Sequence, residues 1–150
     1  MPIPNPSTKS FTLIELIVVI IIVGILAAVG ISQYSTTVEK SRLAEAKVRL
    51  GAMSKLAYEY YLNNGTLTGI ANADVGADNT CSSGSFFRYW IDPYPTTIIL
   101  EATRCTSNGK TPNATREYQF YAYFTPGTGY FEWRCMYTDN WSFCFGLRGG

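Results

Sequence analysis

The chain has 150 residues, enough for one small domain, and its 12 Lys and Arg nearly balance its 11 Asp and Glu. A formal charge of +1 gives no basic surface of the kind that binds DNA or RNA, so no nucleic-acid partner is expected. Histidine is absent, and the sequence has neither a nucleophile elbow nor a phosphate-binding glycine loop, so we predict no enzymatic activity, no cofactor and no metal site.

The first predicted element is a hydrophobic helix that begins at Phe11. Residues 11–31 are apolar apart from Thr12, the glycines and Glu15, and no charged residue occurs between Leu16 and Val38. A helix of this length extends about 30 Å, the thickness of a bilayer's hydrocarbon core. A secretory signal peptide is the alternative, but its apolar run would be only about 7 to 15 residues long. We therefore predict a membrane-spanning helix.

Glu15 is the one acidic residue within this apolar run. A carboxylate inside a spanning helix costs several kcal/mol unless it is paired, so such a residue indicates a function. No Lys or Arg follows within two helical turns, and Lys9 lies beyond the hydrophobic boundary. Cleavage of the chain before Phe11 would create a free amine, which would be the nearest new positive charge.

The segment from Ser10 to Tyr34, S-FTLIELIVVIIIVGILAAVGISQY, resembles the type IV pilin and pseudopilin family, and most of all a major pilin. The resemblance implies that a prepilin peptidase cuts between Ser10 and Phe11 and that Phe11 is then N-methylated. It also implies that Glu15 pairs with the terminal amine of a neighbouring subunit during assembly. Ser10 stands where the family has Gly, which predicts slow or absent processing, and Ser32 stands where the family has Pro.

The resemblance further implies the organisation and partners of the whole chain. Residues 1–10 would be a leader, 11–32 the hydrophobic half of a long helix, and 33–150 a globular head. The expected function is that of a structural subunit of a type IV pilus serving adhesion, motility or DNA uptake. Its partners would be further copies of the chain, the prepilin peptidase and methyltransferase, the pilus assembly platform and the inner membrane.

The distribution of basic residues bears on which side of the membrane the head lies. Lys9 precedes the apolar run, whereas Lys40, Arg42, Lys47 and Arg49 follow it, and the positive-inside rule alone would leave the head in the cytoplasm. Paired cysteines need an oxidising compartment, however, and the pilin resemblance implies an outward head. We therefore expect an inner-membrane precursor with its head outside the cytoplasm, followed by a cell-surface pilus or a periplasmic pseudopilus.

An amphipathic pattern continues the helix into the head. Apolar residues recur at spacings of three and four, which is typical of one helical face packed on a sheet: Leu43, Ala46, Leu50, Met53, Ala57 and Tyr60. On the polar side Glu45 and Arg49 are spaced for an ion pair. One helix is thus predicted from Phe11 to about Leu62, ended by the glycine of Asn63-Asn64-Gly65.

The remainder is predicted to be a loop, 63–85, followed by an antiparallel sheet within 86–150. Asp74 and Asp78 are possible Ca²⁺ ligands in the loop, but a solvated loop is the favoured interpretation. The strand-like runs are 86–91, 97–102, 117–124, 129–137 and 141–147. Pro126-Gly127-Thr128-Gly129 predicts a turn between two of them. The fold class is therefore α+β, the pilin fold.

Four cysteines, an even number, predict two disulfides in a small extracytoplasmic head. Three pairings are possible, and loop-closure entropy favours Cys81–Cys105 with Cys135–Cys144. Zinc is the rival, but no pair has C-x-x-C spacing. The Cys135–Cys144 loop resembles the carboxy-terminal disulfide loop of many pilins, which either staples the chain end to the sheet or also forms a recognition surface.

Two other functions remain open at this stage. A pseudopilin of type II secretion has the same helix, but members of that group usually carry calcium in place of a disulfide, so the cysteines favour a pilin. A membrane-anchored binding module that never polymerises is the second alternative, because an uncleaved leader would leave Glu15 without an amine.

Overall fold

The computed structural model describes residues 11–106 and 118–137. These residues form one long helix, a short 3-10 helix and four strands in the order α1, 3-10, β1, β2, β3, β4. They divide into two compact units, one ending at Ser35 and one beginning at Thr36. The long helix and the antiparallel sheet confirm the predicted α+β class and are consistent with the pilin fold.

Helix α1 comprises Leu13–Asn64, close to the predicted span of Phe11 to about Leu62. It ends where the sequence predicted, because Gly65 follows with a φ of 72°, in the left-handed region that glycine adopts without strain. The amide of Gly65 donates a hydrogen bond of 2.8 Å to the carbonyl of Tyr61, which satisfies a terminal carbonyl of the helix.

Four strands form an antiparallel meander in which each strand pairs with its neighbours in sequence. Their bounds are β1 Phe87–Pro93, β2 Ile98–Arg104, β3 Tyr118–Thr125 and β4 Tyr130–Tyr137. The four corresponding predicted runs are confirmed within a few residues, and 126–129 form the predicted turn. The fifth run, 141–147, lies outside the described residues.

The core of the head lies between α1 and one face of this sheet. The predicted helical stripe is buried from Leu43 to Ala57, and Tyr60 is half-buried at its end. On β3, Tyr118, Phe120 and Ala122 are at most 1% exposed and belong to the core. These residues, together with those at the same register on β1 and β2, make up one continuous hydrophobic cluster.

The connection between α1 and β1 contains the 3-10 helix Asn72–Val75 and is tied to the sheet by hydrogen bonds. The Asn72 side-chain oxygen accepts a bond of 3.1 Å from the amide of Ile91. Asp74 accepts a bond of 2.7 Å from the amide of Ala71, and Asp78 accepts bonds from the amide and hydroxyl of Thr80. Both carboxylates therefore stabilise turns, which agrees with the favoured loop interpretation over a Ca²⁺ site.

The predicted Glu45–Arg49 ion pair is not among the salt bridges of the described residues. The guanidinium of Arg49 instead donates a 2.9 Å hydrogen bond to the carbonyl of Gly76 and lies 5.6 Å from the ring centroid of Tyr89. A backbone carbonyl and an aromatic ring thus take the place of a surface ion pair that is worth only a few tenths of a kcal/mol.

Candidate functional site

The amino-terminal part of α1 is an unburied apolar rod. Every residue from Phe11 to Ile31 is exposed, and the large apolar side chains among them range from 42% for Ile17 to 78% for Phe11. The stretch Leu13–Ile31 has a mean hydropathy of 3.1 and is long and apolar enough to cross a membrane. Exposed apolar area on this scale far exceeds what soluble monomers carry, so the rod requires lipid, detergent or other helices around it.

Glu15 and Thr12 are joined by hydrogen bonds at the start of this helix. The Thr12 amide donates to Glu15 Oε2 at 2.9 Å, and the Thr12 hydroxyl donates to the same oxygen at 2.7 Å. The Glu15 amide in turn donates a long bond of 3.4 Å to the Thr12 hydroxyl. Among the described residues, both donors to the Glu15 carboxylate bind Oε2, and none binds Oε1.

This arrangement is a capping box, and the sequence contains its signal. Thr12-Leu13-Ile14-Glu15 has the Thr-x-x-Glu pattern in which an N-cap side chain and the third helical residue satisfy each other's amides. The free-energy cost of a carboxylate at Glu15 followed from the sequence, but the hydrogen bonds from Thr12 that offset it were missed. The carboxylate is also placed at the positive end of the helix dipole.

A second polar cluster, which the sequence analysis missed entirely, lies inside the head. Glu39 on α1 and Arg104 at the end of β2 are both 0% exposed and form a two-pronged ion pair. Arg104 Nη2 donates to Glu39 Oε1 at 3.0 Å, and Arg104 Nε donates to Oε2 at 3.2 Å. The buried hydroxyl of Tyr118 on β3 donates to Oε2 at 3.0 Å. The helix and two strands are thus joined at one carboxylate.

The cluster is saturated with hydrogen bonds on both sides. Arg42, one helical turn from Glu39, donates to Oε1 and stacks over the ring of Phe86 with 4.3 Å between guanidinium and centroid. Arg104 Nη1 donates to the carbonyls of Phe86 and Cys105. Burial raises the pKa of the Glu39 carboxyl, but the bonds from Arg104, Arg42 and Tyr118 outweigh burial and hold that pKa below its ordinary value.

The Cys81–Cys105 disulfide adjoins the ion pair, since Cys105 follows Arg104 directly. The bond closes a sequence separation of 24 residues and ties the loop after the 3-10 helix to the end of β2. Cys135 is buried in β4 and also disulfide-bonded, and its predicted partner, Cys144, lies outside the described residues. Ser10, the residue before the predicted cleavage, is likewise outside them.

The chain is similar to known proteins over its amino-terminal part. Residues 6–31 match the family model described as the prokaryotic N-terminal methylation motif. The amino terminus is similar to that of type IV pilins. The similarity extends to a fimbrial protein of Neisseria meningitidis serogroup B (strain ATCC BAA-335 / MC58), 43% identical over 65 residues, which are 43% of this chain and 38% of that protein.

Two further relatives give the same picture. The type IV major pilin protein PilE1 of Neisseria gonorrhoeae is 44% identical over 61 residues, 41% of this chain and 37% of the relative. The fimbrial protein EcpC of Eikenella corrodens is 44% identical over 57 residues, 38% of this chain and 37% of the relative. The chain therefore spans less than two-fifths of the length of these curated relatives. These relatives are named as pilins and fimbrial proteins, which are structural, and this agrees with the prediction that the chain is no enzyme.

Proposed function

We propose that the chain is a structural subunit of a type IV pilus, made as an inner-membrane precursor and polymerised through its amino-terminal helix. The observation that carries the proposal is the combination of a fully exposed apolar rod with a single acid at its first turn. An apolar rod alone would fit any membrane anchor. The acid distinguishes a helix that must also recognise a charge near the membrane.

Glu15 is suited to select an incoming subunit. Its Oε2 is held by Thr12, which orients the carboxylate, while no described donor occupies Oε1. A methylated amine at Phe11 of a neighbouring copy would supply the missing positive charge. The amine exists only after cleavage between Ser10 and Phe11, so assembly would require cleavage first.

The apolar helix would then supply the cohesion of the filament. Burying one Leu, Ile or Val side chain contributes about 1.5–3 kcal/mol, and the rod carries such residues on every side. A helix that is apolar all round is suited to a bundle in which each copy is surrounded by others. The charge pair would set register, and the hydrophobic area would hold the polymer together.

The head has features of an exported protein. The Cys81–Cys105 bond requires an oxidising compartment, which supports an outward head despite the basic residues that follow the rod. A disulfide at this position also favours a pilin over a calcium-stabilised pseudopilin. Whether the filament serves adhesion, motility or DNA uptake does not follow from these features and forms no part of the proposal.

The decisive experiment compares Glu15→Ala with Thr12→Val and with the unchanged chain in a cell that assembles pili. Glu15→Ala should insert in the membrane at normal levels and yield at least about tenfold fewer sheared filaments, because a charge pair in a low-dielectric setting is lost. Thr12→Val should insert normally and reduce filaments less, since it removes only the supporting hydroxyl. Normal filament yield from Glu15→Ala would contradict the assembly role.

Mass spectrometry of the amino terminus tests processing separately. N-methyl-phenylalanine at Phe11 supports the proposal, and Ser10→Gly should speed cleavage if Ser10 fits the peptidase poorly. An intact Met1 on all membrane-bound protein would instead favour an anchored module that does not polymerise. Electron microscopy of sheared surface material separates a pilus from a periplasmic pseudopilus, which would leave no external fibre.

A further inference from the structure

The outer face of the sheet, opposite α1, carries a small polar cavity that the filament proposal does not use. It has a volume of about 110 Å³ and is lined by Asn79, Arg88, Trp90, Glu101, Thr103 and Gln119. Strand register explains this convergence. Arg88, Thr103 and Gln119 are direct cross-strand partners on β1, β2 and β3, and Trp90 pairs with Glu101 in the adjacent row of the same face.

The floor of the cavity is a fixed polar network. Glu101 is 7% exposed and Thr103 is 1% exposed, although both belong to the outer face of the sheet. The Thr103 hydroxyl donates to Glu101 Oε1 at 2.7 Å, and Trp90 is the direct cross-strand partner of Glu101. The hydroxyl of Tyr121 donates to Gln119 Oε1, which orients the amide group of that side chain. These groups are held in place before any ligand arrives.

The rim combines an exposed aromatic ring with a braced loop. Trp90 is 41% exposed, and it lies directly opposite Glu101 in the sheet. Asn79 belongs to a turn in which Asp78 accepts bonds from Thr80, and the Asp78 carbonyl accepts a 2.7 Å bond from the Tyr89 amide of β1. The loop that carries Asn79 is therefore fastened to the sheet beside the cavity.

The chemistry of the lining selects among ligand classes. Its two charged groups, Arg88 and Glu101, cancel, so neither a phosphate nor a cation is favoured by net charge. The lining offers donors and acceptors together, from amide, guanidinium, carboxylate and hydroxyl groups. A ligand hydroxyl both donates and accepts, and a pyranose ring also has an apolar C–H face that can cover an indole.

The volume of the cavity agrees with a sugar as the ligand. One water has a share of about 30 Å³ in the liquid, so the cavity has room for three or four waters or for the hydroxyl edge of one sugar ring. More aromatic surface lies along the same face, since Tyr94 is 50% exposed and Tyr123 lies in the row next to Trp90 and Glu101. A longer glycan would find further rings beyond the first.

We propose that the outer face of the sheet binds a neutral pyranose, with its C–H face on Trp90 and its hydroxyls on Glu101, Arg88, Gln119 and Asn79. A single ring in a shallow site is expected to bind weakly, with a Kd of about 1 mM, or about −4 kcal/mol. The proposal does not depend on polymerisation. If filaments do form, repeated copies along one fibre would raise the apparent affinity for a multivalent glycan.

The test uses the full chain in lipid nanodiscs, so that a failure of assembly cannot affect the result. Saturation-transfer NMR titrations would use methyl mannoside, methyl galactoside, methyl glucoside and N-acetylglucosamine, with sodium glucuronate as an acidic probe. We expect at least one neutral sugar to saturate with a Kd of about 1 mM. Glucuronate should bind no more tightly than the neutral sugars, because the charges of Arg88 and Glu101 cancel.

Variants locate the binding. Trp90→Ala and Asn79→Ala should each raise the Kd for the sugar by about tenfold. Asn79 is an exposed loop residue, so its replacement leaves the core intact even if Trp90→Ala impairs folding. Tyr58→Ala is the matched control, because Tyr58 is a 43% exposed aromatic residue that lies on α1 and not on the sheet. The Tyr58→Ala variant should bind the sugar with the affinity of the unchanged chain. The proposal is overturned if no neutral sugar saturates by about 50 mM, if glucuronate binds best, or if the Asn79 variant retains full affinity.

Discussion

Glu39 and Arg104 are buried charges that depend on each other. Moving either ion out of water costs several kcal/mol, and the four hydrogen bonds to the Glu39 carboxylate offset that cost only while every partner is present. The pair joins residues 65 positions apart in the chain. Its role in the head is therefore to specify how α1 meets the ends of β2 and β3.

Replacing Glu39 by Gln should destabilise the head by about 3 kcal/mol at pH 7, because Arg104 would remain buried without a counter-charge. Urea unfolding of the full chain in detergent micelles, followed by tryptophan fluorescence, measures this difference. Glu45→Gln is the control, since Glu45 is an exposed acid on the same helix and its loss should change stability by less than about 0.5 kcal/mol.

The difference between the unchanged chain and the Glu39→Gln variant should also depend on pH. The pKa of Glu39 is lowered in the folded head, so its contribution is complete above the ordinary carboxyl pKa of about 4.3 and is lost as pH falls through the lower folded value. The pKa of Glu101 is raised by burial, which acts in the opposite direction, but Glu101 is present in both proteins and cancels. A difference that stayed constant down to about pH 2.5 would exclude the ion pair as its source.

The sequence held a signal for this pair, although periodicity alone did not reveal it. Glu39 lies four residues before Leu43, in register with the buried stripe of α1, and Arg104 alternates with Leu100 and Ala102 on the buried face of β2. Opposite charges in register with two facing apolar surfaces predict a buried pair. Which acid meets which base still depends on how the helix crosses the sheet, and local pattern does not determine that crossing.

At the scale of elements, the helix and strands followed from local pattern, whereas the connection between them did not. Hydrophobic spacing predicted α1 and four strands because each buries one face on the other. The loop of 63–85 has little periodicity, so its 3-10 helix and the hydrogen bonds that Asn72 and Asp78 accept from β1 amides could not be predicted. The outer-face cavity was missed for the same reason, because Asn79 reaches it from that loop.

The Cys81–Cys105 disulfide is the covalent part of this connection. Replacing both cysteines by Ser should lower the free energy of unfolding by about 3 kcal/mol, mainly because the unfolded chain regains the freedom of a loop of 24 residues. Urea unfolding without reductant measures the loss. Ser82→Ala serves as the control, since it changes an exposed hydroxyl in the same loop and leaves the bridge intact. An unchanged stability would mean that the bridge constrains nothing in the unfolded state.

At the scale of the whole molecule, burial of apolar helix surface would hold the proposed polymer together. One charge pair per subunit would set the register between neighbouring helices. Filaments should therefore survive 1 M NaCl, where the screening length is about 3 Å, but dissociate in a detergent that coats apolar helices. Sedimentation of sheared fibres after each treatment measures this. Bovine serum albumin mixed with the fibres controls for non-specific pelleting. Dissolution by salt alone would show that exposed charges, and not the rod, hold the subunits together.

The meander order of the sheet affects the rate at which the head folds. Each strand of the described sheet pairs with the strand next to it in sequence, so the contacts that build it are short-range along the chain. Proteins rich in such contacts cross a lower entropic barrier and fold faster than those with distant pairings. A subunit whose helix is already held in a membrane has only its head left to organise. Early hairpins would bring Cys105 into place, so that oxidation secures a structure that has already formed.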